Sequence, residues 1–245
     1  MLPGTRNGSA DLARLVEKRL RTWRAAPRPP APRGAPRPEV YDFVTISRMV
    51  GTNGYGLAAA LGKRLGWPVF DREILHVMAR DDRLRERLYE ELDERDVGWI
   101  ENMLRWLLEE GIHKERYFHR LSETILALAR QGPAIFLGRG ADLILPRERG
   151  LRVSLVAPLE FRIRNIAVRE GLSEPAARKH VTRVQAQRDK FLRTHFGARL
   201  ENPARHDLVI NVAAIPASTA IELISMTLRL QGVVRLPWRR GWPPR

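Results

Sequence analysis

The sequence contains no cysteine among its 245 residues. This absence excludes disulfide bonds, thiolate metal sites and a thiol nucleophile. Long apolar runs are missing too, since no stretch approaches the roughly 18 residues that cross a membrane. The first residues also lack the apolar core of a secretory signal. The six histidines show no H-E-x-x-H spacing, so they predict no metal site. We therefore expect a cytoplasmic protein that does not enter the membrane.

Positive charge is abundant but unevenly distributed along the chain, whose formal net charge is +15. Residues 1–38 hold nine Lys/Arg against two Asp/Glu, and residues 235–245 hold four Arg and no acid. The stretch between them therefore carries only +4. A uniformly basic chain would favour nucleic acid as a partner, but here most of the excess lies in the two ends. One hypothesis is that these tails bind nucleic acid or another acidic partner in a non-specific, salt-sensitive way.

Composition divides the chain into three parts. Residues 9–25 have an amphipathic helical pattern, and seven prolines within residues 1–38 predict that the rest of this segment is extended or disordered. The C-terminal residues 235–245 have the same basic, proline-containing character. We therefore expect an N-terminal extension over 1–38, a folded domain over 39–234 and a basic tail over 235–245.

Within the domain, strand patterns alternate with helix patterns. The predicted strands are 42–47, 68–71, 134–138, 151–157 and 207–212. The predicted helices are 56–66, 72–81, one or two helices over 83–111, then 114–132, 158–171, 173–197 and 216–232. This alternation predicts a parallel sheet covered by helices on both faces. Ligands of such sheets bind beyond the carboxyl ends of the strands.

The stretch ISRMVGTNGYG follows the first predicted strand and precedes the first predicted helix of the domain. Its glycines, Gly51, Gly54 and Gly56, permit close backbone approach, so that N–H groups of the loop and of the helix N-terminus can surround phosphate oxygens. The full pattern G-x-x-x-x-G-K-[ST] is not met, since the lysine and the hydroxyl residue are absent. The residues alone are compatible with a phosphate site or with a tight turn that merely uses glycines.

Several motifs in a fixed order resemble the cytidylate kinase-like family of P-loop nucleoside monophosphate kinases, here with a degenerate P-loop. They are Ile46-Ser47-Arg48, Gly51-Thr52-Asn53-Gly54, Asp71-Arg72-Glu73, Gly138-Arg139-Gly140-Ala141, the arginine-rich segment 183–197 and the strand Asp207-Leu208-Val209-Ile210-Asn211. The resemblance covers roughly residues 41–232. It implies a three-layer α/β fold, with a five-stranded parallel sheet flanked by helices and a helical lid at roughly 173–200.

The resemblance also implies an activity, the ATP-dependent phosphorylation of a CMP-like nucleoside monophosphate with Mg²⁺ as a cofactor. Arg48, Arg188 and Arg193 are then expected to neutralise the transferring phosphoryl group, and Asp71 to orient the acceptor or help hold Mg²⁺. The donor phosphates are expected at Gly51, Thr52, Asn53, Gly54, Tyr55 and Gly56. The acceptor is expected at Arg72, Arg139, Asp142 and Arg183.

Each candidate also has a structural interpretation. Arg48 can be a solvated or salt-bridged arginine at a strand end, and Asp71 and Asp142 can cap helices. The lid arginines can form a solvated helix face. Because the loop lacks its lysine and hydroxyl and carries Tyr55, an alternative hypothesis is a regulatory protein that binds nucleotide without turnover.

Overall fold

The computed structural model describes residues 40–90, 92–109, 115–147, 149–198 and 202–231. Five parallel strands form one sheet in the order β2-β3-β1-β4-β5. The strands are β1 Phe43–Arg48, β2 Val69–Phe70, β3 Ala134–Leu137, β4 Leu151–Val156 and β5 Leu208–Asn211. The predicted parallel sheet is confirmed. The predicted extension 1–38 and tail 235–245 lie outside the described residues.

Helices connect successive strands. They are α1 Gly54–Leu65, α2 Arg72–Arg80, α3 Asp82–Tyr89, α4 Glu94–Glu109, α5 Arg116–Gln131, α6 Ala141–Ile144, α7 Leu159–Glu170, α8 Glu174–Phe196 and α9 Ala217–Leu230, with a 3₁₀ turn at Pro203–Arg205. The segment predicted as one or two helices over 83–111 forms two, α3 and α4. The four-residue α6 was not predicted, because a single helical turn shows no periodicity.

The two faces of the sheet carry separate apolar cores. Along β1, Phe43 packs with α2, α4 and α5 on one face, whereas Val44 and Ile46 pack with α1 and α9 on the other. This alternation follows from the period of two along a strand. The result is the three-layer arrangement that the sequence predicts. No helix in the described ranges has the length and apolarity needed to span a membrane.

Helices α7 and α8 form a separate unit above the carboxyl ends of the strands. Ile163 and Ile166 of α7 pack against Ala177 and Val181 of α8, and this small core also includes Val50 from the loop after β1. The predicted helical lid is thus present. Its main element, α8, is a continuous helix of 23 residues that lies against the loop through Val50.

Candidate active site

The loop after β1 leaves the N-terminus of α1 uncapped. Asn53 occupies the N-cap position with φ +52°, but its side chain accepts no capping hydrogen bond, and the first turn of α1 contains no acidic residue. The hydroxyl of Thr52 is occupied locally, since it donates to the carbonyl of Met49 at 2.9 Å. The first N–H groups of a helix have no intrahelical acceptor, and they favour an anion. The loop therefore offers a row of backbone donors to a phosphate group.

Gly51 has no room for a side chain. Its φ is +90°, and a Cβ there would lie 2.5 Å from the backbone carbonyl oxygen of Arg162 in α7. The amide of Asn165, also in α7, donates to the carbonyl of Gly51 at 2.9 Å. Glycine at this position therefore allows the loop to lie directly against the lid unit.

The Arg48 side chain leaves the end of β1 and crosses the site between two glycines. Its stem passes Gly54, where a Cβ would lie 2.9 Å from Arg48 Cγ. Its guanidinium lies over Gly138, where a Cβ would lie 1.9 Å from Arg48 Nη1. Burial, together with the nearby Arg188, Arg72 and Arg139, lowers the pKa of Arg48 to about 9. Arg48 is therefore a partly buried cation among other cations, a position that an anionic ligand would stabilise.

Two adjoining cavities meet at this arginine. The larger, of about 620 Å³, lies over the loop residues 48–55 and the start of α2. The smaller, of about 260 Å³, lies between the end of β3 and α8. Both cavities are lined by Arg48, Arg72, Val184, Gln187 and Arg188. One ligand held at the loop and another held beside β3 would thus meet at the shared arginines.

Two further arginines are fixed by their surroundings. Arg139 has φ +61° and places its guanidinium over the ring of Phe191, 5.1 Å from the centroid. Its burial lowers its pKa. Arg188 donates from Nη1 to the carbonyl of Arg48 at 3.1 Å. Burial and the neighbouring Arg72, Arg169 and Arg139 lower the pKa of Arg188 to about 10. The site therefore concentrates several arginines with lowered pKa values, with the carboxylates of Asp71 and Asp189 nearby.

Asp71 caps α2, which is the structural role that the sequence predicts for it. Its Oδ1 accepts from the backbone N–H groups of Glu73 and Ile74 at 2.9 and 3.0 Å. Asp71 also lines the larger cavity. Both capping bonds use Oδ1, so capping does not consume Oδ2. The same carboxylate can thus cap the helix and face a ligand.

The other predicted site residues are placed differently. Asp142 is buried, pairs with Arg205, accepts from the Ser47 hydroxyl at 3.4 Å and lines neither cavity. Arg183 and Arg193 are exposed on α8 and also line neither cavity. Tyr55 lines the larger cavity and is 51% exposed. The structure thus brings together Arg48, Asp71, Arg72, Arg139, Arg188 and the loop, but not Asp142, Arg183 or Arg193.

Sequence reasoning predicted Arg188 but missed its neighbours on the same face of α8, which are Val184, Gln187 and Phe191. Val184, Gln187, Arg188 and Phe191 all line a cavity. Their spacing of i, i+3, i+4 and i+7 places them on one face of the helix. That pattern is present in the sequence, and it would have separated Arg188 from the exposed Arg183 and Arg193.

A polyvalent anion should stabilise the unliganded protein. Addition of pyrophosphate is expected to raise the melting temperature more than chloride at equal ionic strength, because its negative charges would lie against Arg48, Arg72 and Arg188, which line both cavities. At a hundredfold excess over Kd, the gain in unfolding free energy would be about 2.7 kcal/mol. The pyrophosphate effect should weaken as the pH rises through about 9, where the free protein's Arg48 loses its proton. Thermal denaturation followed by circular dichroism measures this effect.

The basic tails offer a second place for pyrophosphate, so matched variants are needed. Arg48→Ala should lose most of the shift, whereas Arg105→Ala, which removes an exposed arginine of α4, should keep it. Equal shifts in the two variants would show that the anion binds elsewhere.

Comparison with known proteins identifies the family of this chain. Residues 43–214, more than half of the chain, match the Cytidylate kinase-like family. No curated protein matches the sequence significantly. An uncharacterized protein from Eubacterium ventriosum has a similar structure, with a TM-score of 0.62, 17% identity, and coverage of 77% of this chain and 98% of that chain.

More distant structures include two kinases. A gluconokinase from Sinorhizobium meliloti has a TM-score of 0.43 and 15% identity, with coverage of 78% of this chain and 94% of its own. A shikimate kinase from Bacteroides thetaiotaomicron has a TM-score of 0.39 and 15% identity, with coverage of 77% and 98%. From the matched residues and the sheet order, the chain belongs to the Cytidylate kinase-like family and has the fold of the P-loop kinases.

Proposed function

We propose that this protein is an ATP-dependent nucleoside monophosphate kinase with a CMP-like acceptor. The observation that carries the proposal is the pair of adjoining cavities that share Arg48, Arg72 and Arg188. A phosphoryl transfer requires a donor and an acceptor held in line, with cations where they meet. The two cavities and the shared arginines offer this arrangement.

The larger cavity suits the donor. The uncapped N–H groups between Gly51 and Gly56 would hold the β- and γ-phosphates of ATP, since a helix N-terminus favours negative charge. The loop lacks a lysine, but Arg48 crosses the same cavity with its stem against Gly54. Arg48 would thus supply the cation that a P-loop lysine supplies elsewhere, from the strand end instead of from the helix.

The smaller cavity suits a phosphorylated acceptor. Arg139 and Arg72 offer planar forks to its phosphate, and Phe191 and Leu192 offer an apolar wall to its base. The ring of Phe191 already holds Arg139 in position by a cation–π contact. A monophosphate placed against Arg139 would direct an oxygen toward Arg48, which lines the same cavity.

Catalysis would consist of positioning and charge neutralisation. A phosphate oxygen of the acceptor attacks the γ-phosphorus, and ADP leaves with the electrons of the broken bond. Charge spreads over the transferring oxygens, so the guanidinium groups of Arg48 and Arg188 would stabilise the transition state. Because both side chains already line the two cavities, little reorganisation would be needed during transfer. Roles for Asp142, Arg183 and Arg193 stay predictions.

The residues present fit a Mg²⁺ ion held mainly by substrate phosphates. Two residues that line the larger cavity, Asp71 and Glu73, carry carboxylates. Protein sites for Mg²⁺ commonly use one or two carboxylates together with phosphate oxygens. Within the described ranges, no group of three or more His, Asp or Glu forms a metal cage. Asp71 would therefore hold the ion only when nucleotide is bound, and the ion would offset charge on the donor phosphates.

A coupled assay of ADP release tests the proposal. The purified chain is incubated with ATP and Mg²⁺ and with CMP, dCMP, UMP or AMP in turn. We expect acceptor-dependent ADP release with at least one pyrimidine monophosphate, and the highest kcat/KM with CMP. Absence of turnover with every acceptor at high enzyme concentration would contradict it. A melting temperature raised by ATP without turnover would instead support the alternative of a nucleotide-binding regulatory protein.

A further inference from the structure

The lid helix α8 is bonded to the backbone of the phosphate loop. The side-chain oxygen of Gln185 accepts from the backbone N–H of Val50 at 3.0 Å. One turn later, Arg188 donates to the backbone carbonyl of Arg48 at 3.1 Å. Two side chains of one helix face thus hold the backbone on either side of Met49.

The Gln185 amide is held in one orientation. Its Nε2 donates to Oδ1 of Asp189 at 2.9 Å, which directs its oxygen toward Val50. Asp189 lies four residues after Gln185, so both side chains occupy the same face of α8. The two hydrogen bonds that connect Asp189 to Gln185 and Gln185 to Val50 therefore depend on the position of α8 over the loop.

Val50 is also fixed through its side chain. It is 4% exposed and packs in the small core with Ile163 and Val181 of the lid unit. The next residue, Gly51, has φ +90° and begins the row of loop residues that lines the larger cavity. The orientation of the Val50 peptide therefore sets the direction in which that row continues.

We propose that Gln185 is a positioning residue, which holds the Val50 peptide so that the following loop N–H groups meet the donor phosphates. This inference rests on the proposed function. Its consequence is that lid position and loop geometry change together. When α8 lies over the loop, the donors are aligned. When α8 moves away, the Val50 N–H loses its acceptor and the loop loses its alignment.

The test compares Gln185→Ala with Thr182→Ala, a change at an exposed position one turn earlier on α8. Steady-state kinetics give KM for ATP and for the acceptor, and amide hydrogen exchange gives the protection of Val50. In Gln185→Ala we expect faster exchange at Val50 and about a five-fold higher KM for ATP, the effect of losing one hydrogen bond. KM for the acceptor should change less than two-fold. Thr182→Ala should match the wild type in all three readouts.

Gln185→Glu separates positioning from simple packing. The carboxylate can still accept from Val50, but it faces Asp189 and adds negative charge beside the donor cavity. We expect KM for ATP to rise at least as far as in Gln185→Ala. Recovery of the wild-type KM with the Val50 N–H still protected would support positioning by the acceptor oxygen, whereas recovery with fast Val50 exchange would mean that residue 185 acts only through its packing and would overturn the inference.

Other outcomes overturn the inference in distinct ways. A lower KM for ATP in Gln185→Ala would mean that Gln185 competes with the donor. Equal increases in KM for both substrates with a lowered melting temperature would mean that it only stabilises the fold. Unchanged Val50 exchange without nucleotide would exclude the hydrogen bond itself. That last measurement needs no turnover, so it decides the positioning claim even if the wild type phosphorylates no acceptor and the proposed function fails.

Discussion

Arg48→Ala should lower kcat about a thousandfold, the loss associated with removal of a transition-state arginine in phosphoryl transfer. The reason is its position, since Arg48 lines both cavities and its guanidinium lies over Gly138. Burial and the nearby Arg188, Arg72 and Arg139 lower its pKa to about 9. KM for ATP and KM for the acceptor should each rise by a smaller factor than the factor by which kcat falls. Initial-rate kinetics with both substrates varied measure this effect.

The same variant should remain folded. Removal of a partly buried cation that lies near Arg72, Arg139 and Arg188 relieves repulsion, so the melting temperature without ligand should be unchanged or higher. Arg48→Lys keeps the charge but lacks the planar fork, and it should recover only part of kcat. Arg105→Ala serves as the control for removal of an exposed arginine. If Arg48→Ala kept more than a tenth of wild-type kcat, Arg48 would not be the cation that replaces the loop lysine.

Gly138→Ala should displace the Arg48 guanidinium. Because the displaced charge no longer stabilises the transition state, kcat/KM should fall about a hundredfold. A Cβ at Gly138 would lie 1.9 Å from Arg48 Nη1 and 3.0 Å from Arg48 Cζ. Both atoms belong to the far end of a flexible side chain, so the guanidinium can move aside without unfolding the protein. The φ of +77° at Gly138 adds a backbone cost of about 1 kcal/mol, because alanine tolerates this region poorly. Kinetics and denaturant unfolding of the same preparation separate the two effects.

Gly66→Ala is the matched control for backbone strain. Gly66 has φ +70°, and among the described atoms none lies within 4 Å of a Cβ built there. Both variants should therefore lose similar unfolding free energy, but only Gly138→Ala should lose activity. The double variant Gly138→Ala with Arg48→Ala should be no less active than Arg48→Ala alone, because both changes remove the same interaction. Additive losses would place the role of Gly138 elsewhere.

Most of the fold could be predicted because its determinants are local. The predicted strand over 42–47 is β1, and the predicted helix over 173–197 is α8, since each is specified by its own hydrophobic period and end residues. The boundary between α3 and α4 was left open, and α6 was missed. One turn of helix after Gly140 depends on packing around Asp142 and Arg205, which no local pattern reports.

Residues of the candidate site could be predicted only where their place at a strand end fixes them at one edge of the sheet. Arg48 ends β1, Asp71 directly follows β2 and Arg139 comes two residues after β3, and the carboxyl ends of parallel strands meet at one edge of the sheet. Arg183, Arg188 and Arg193 share one helix, so their order in the chain does not show which of them faces the cavity. The structure turns only Arg188 inward. Asp142 follows β3 as well, but its ion pair with Arg205 draws it into the interior.

The sequence by itself determined a parallel α/β sheet, a glycine loop before the first helix of the domain, and a family resemblance that the comparison confirms over residues 43–214. These properties follow from local periodicity and from motifs in order. Only the tertiary structure decided that Arg48 crosses from the loop to Gly138, and that Gln185 of the lid helix holds the loop at Val50. The physical reason is that these contacts join residues 90 and 135 positions apart, and their geometry depends on how the sheet and the lid unit pack together.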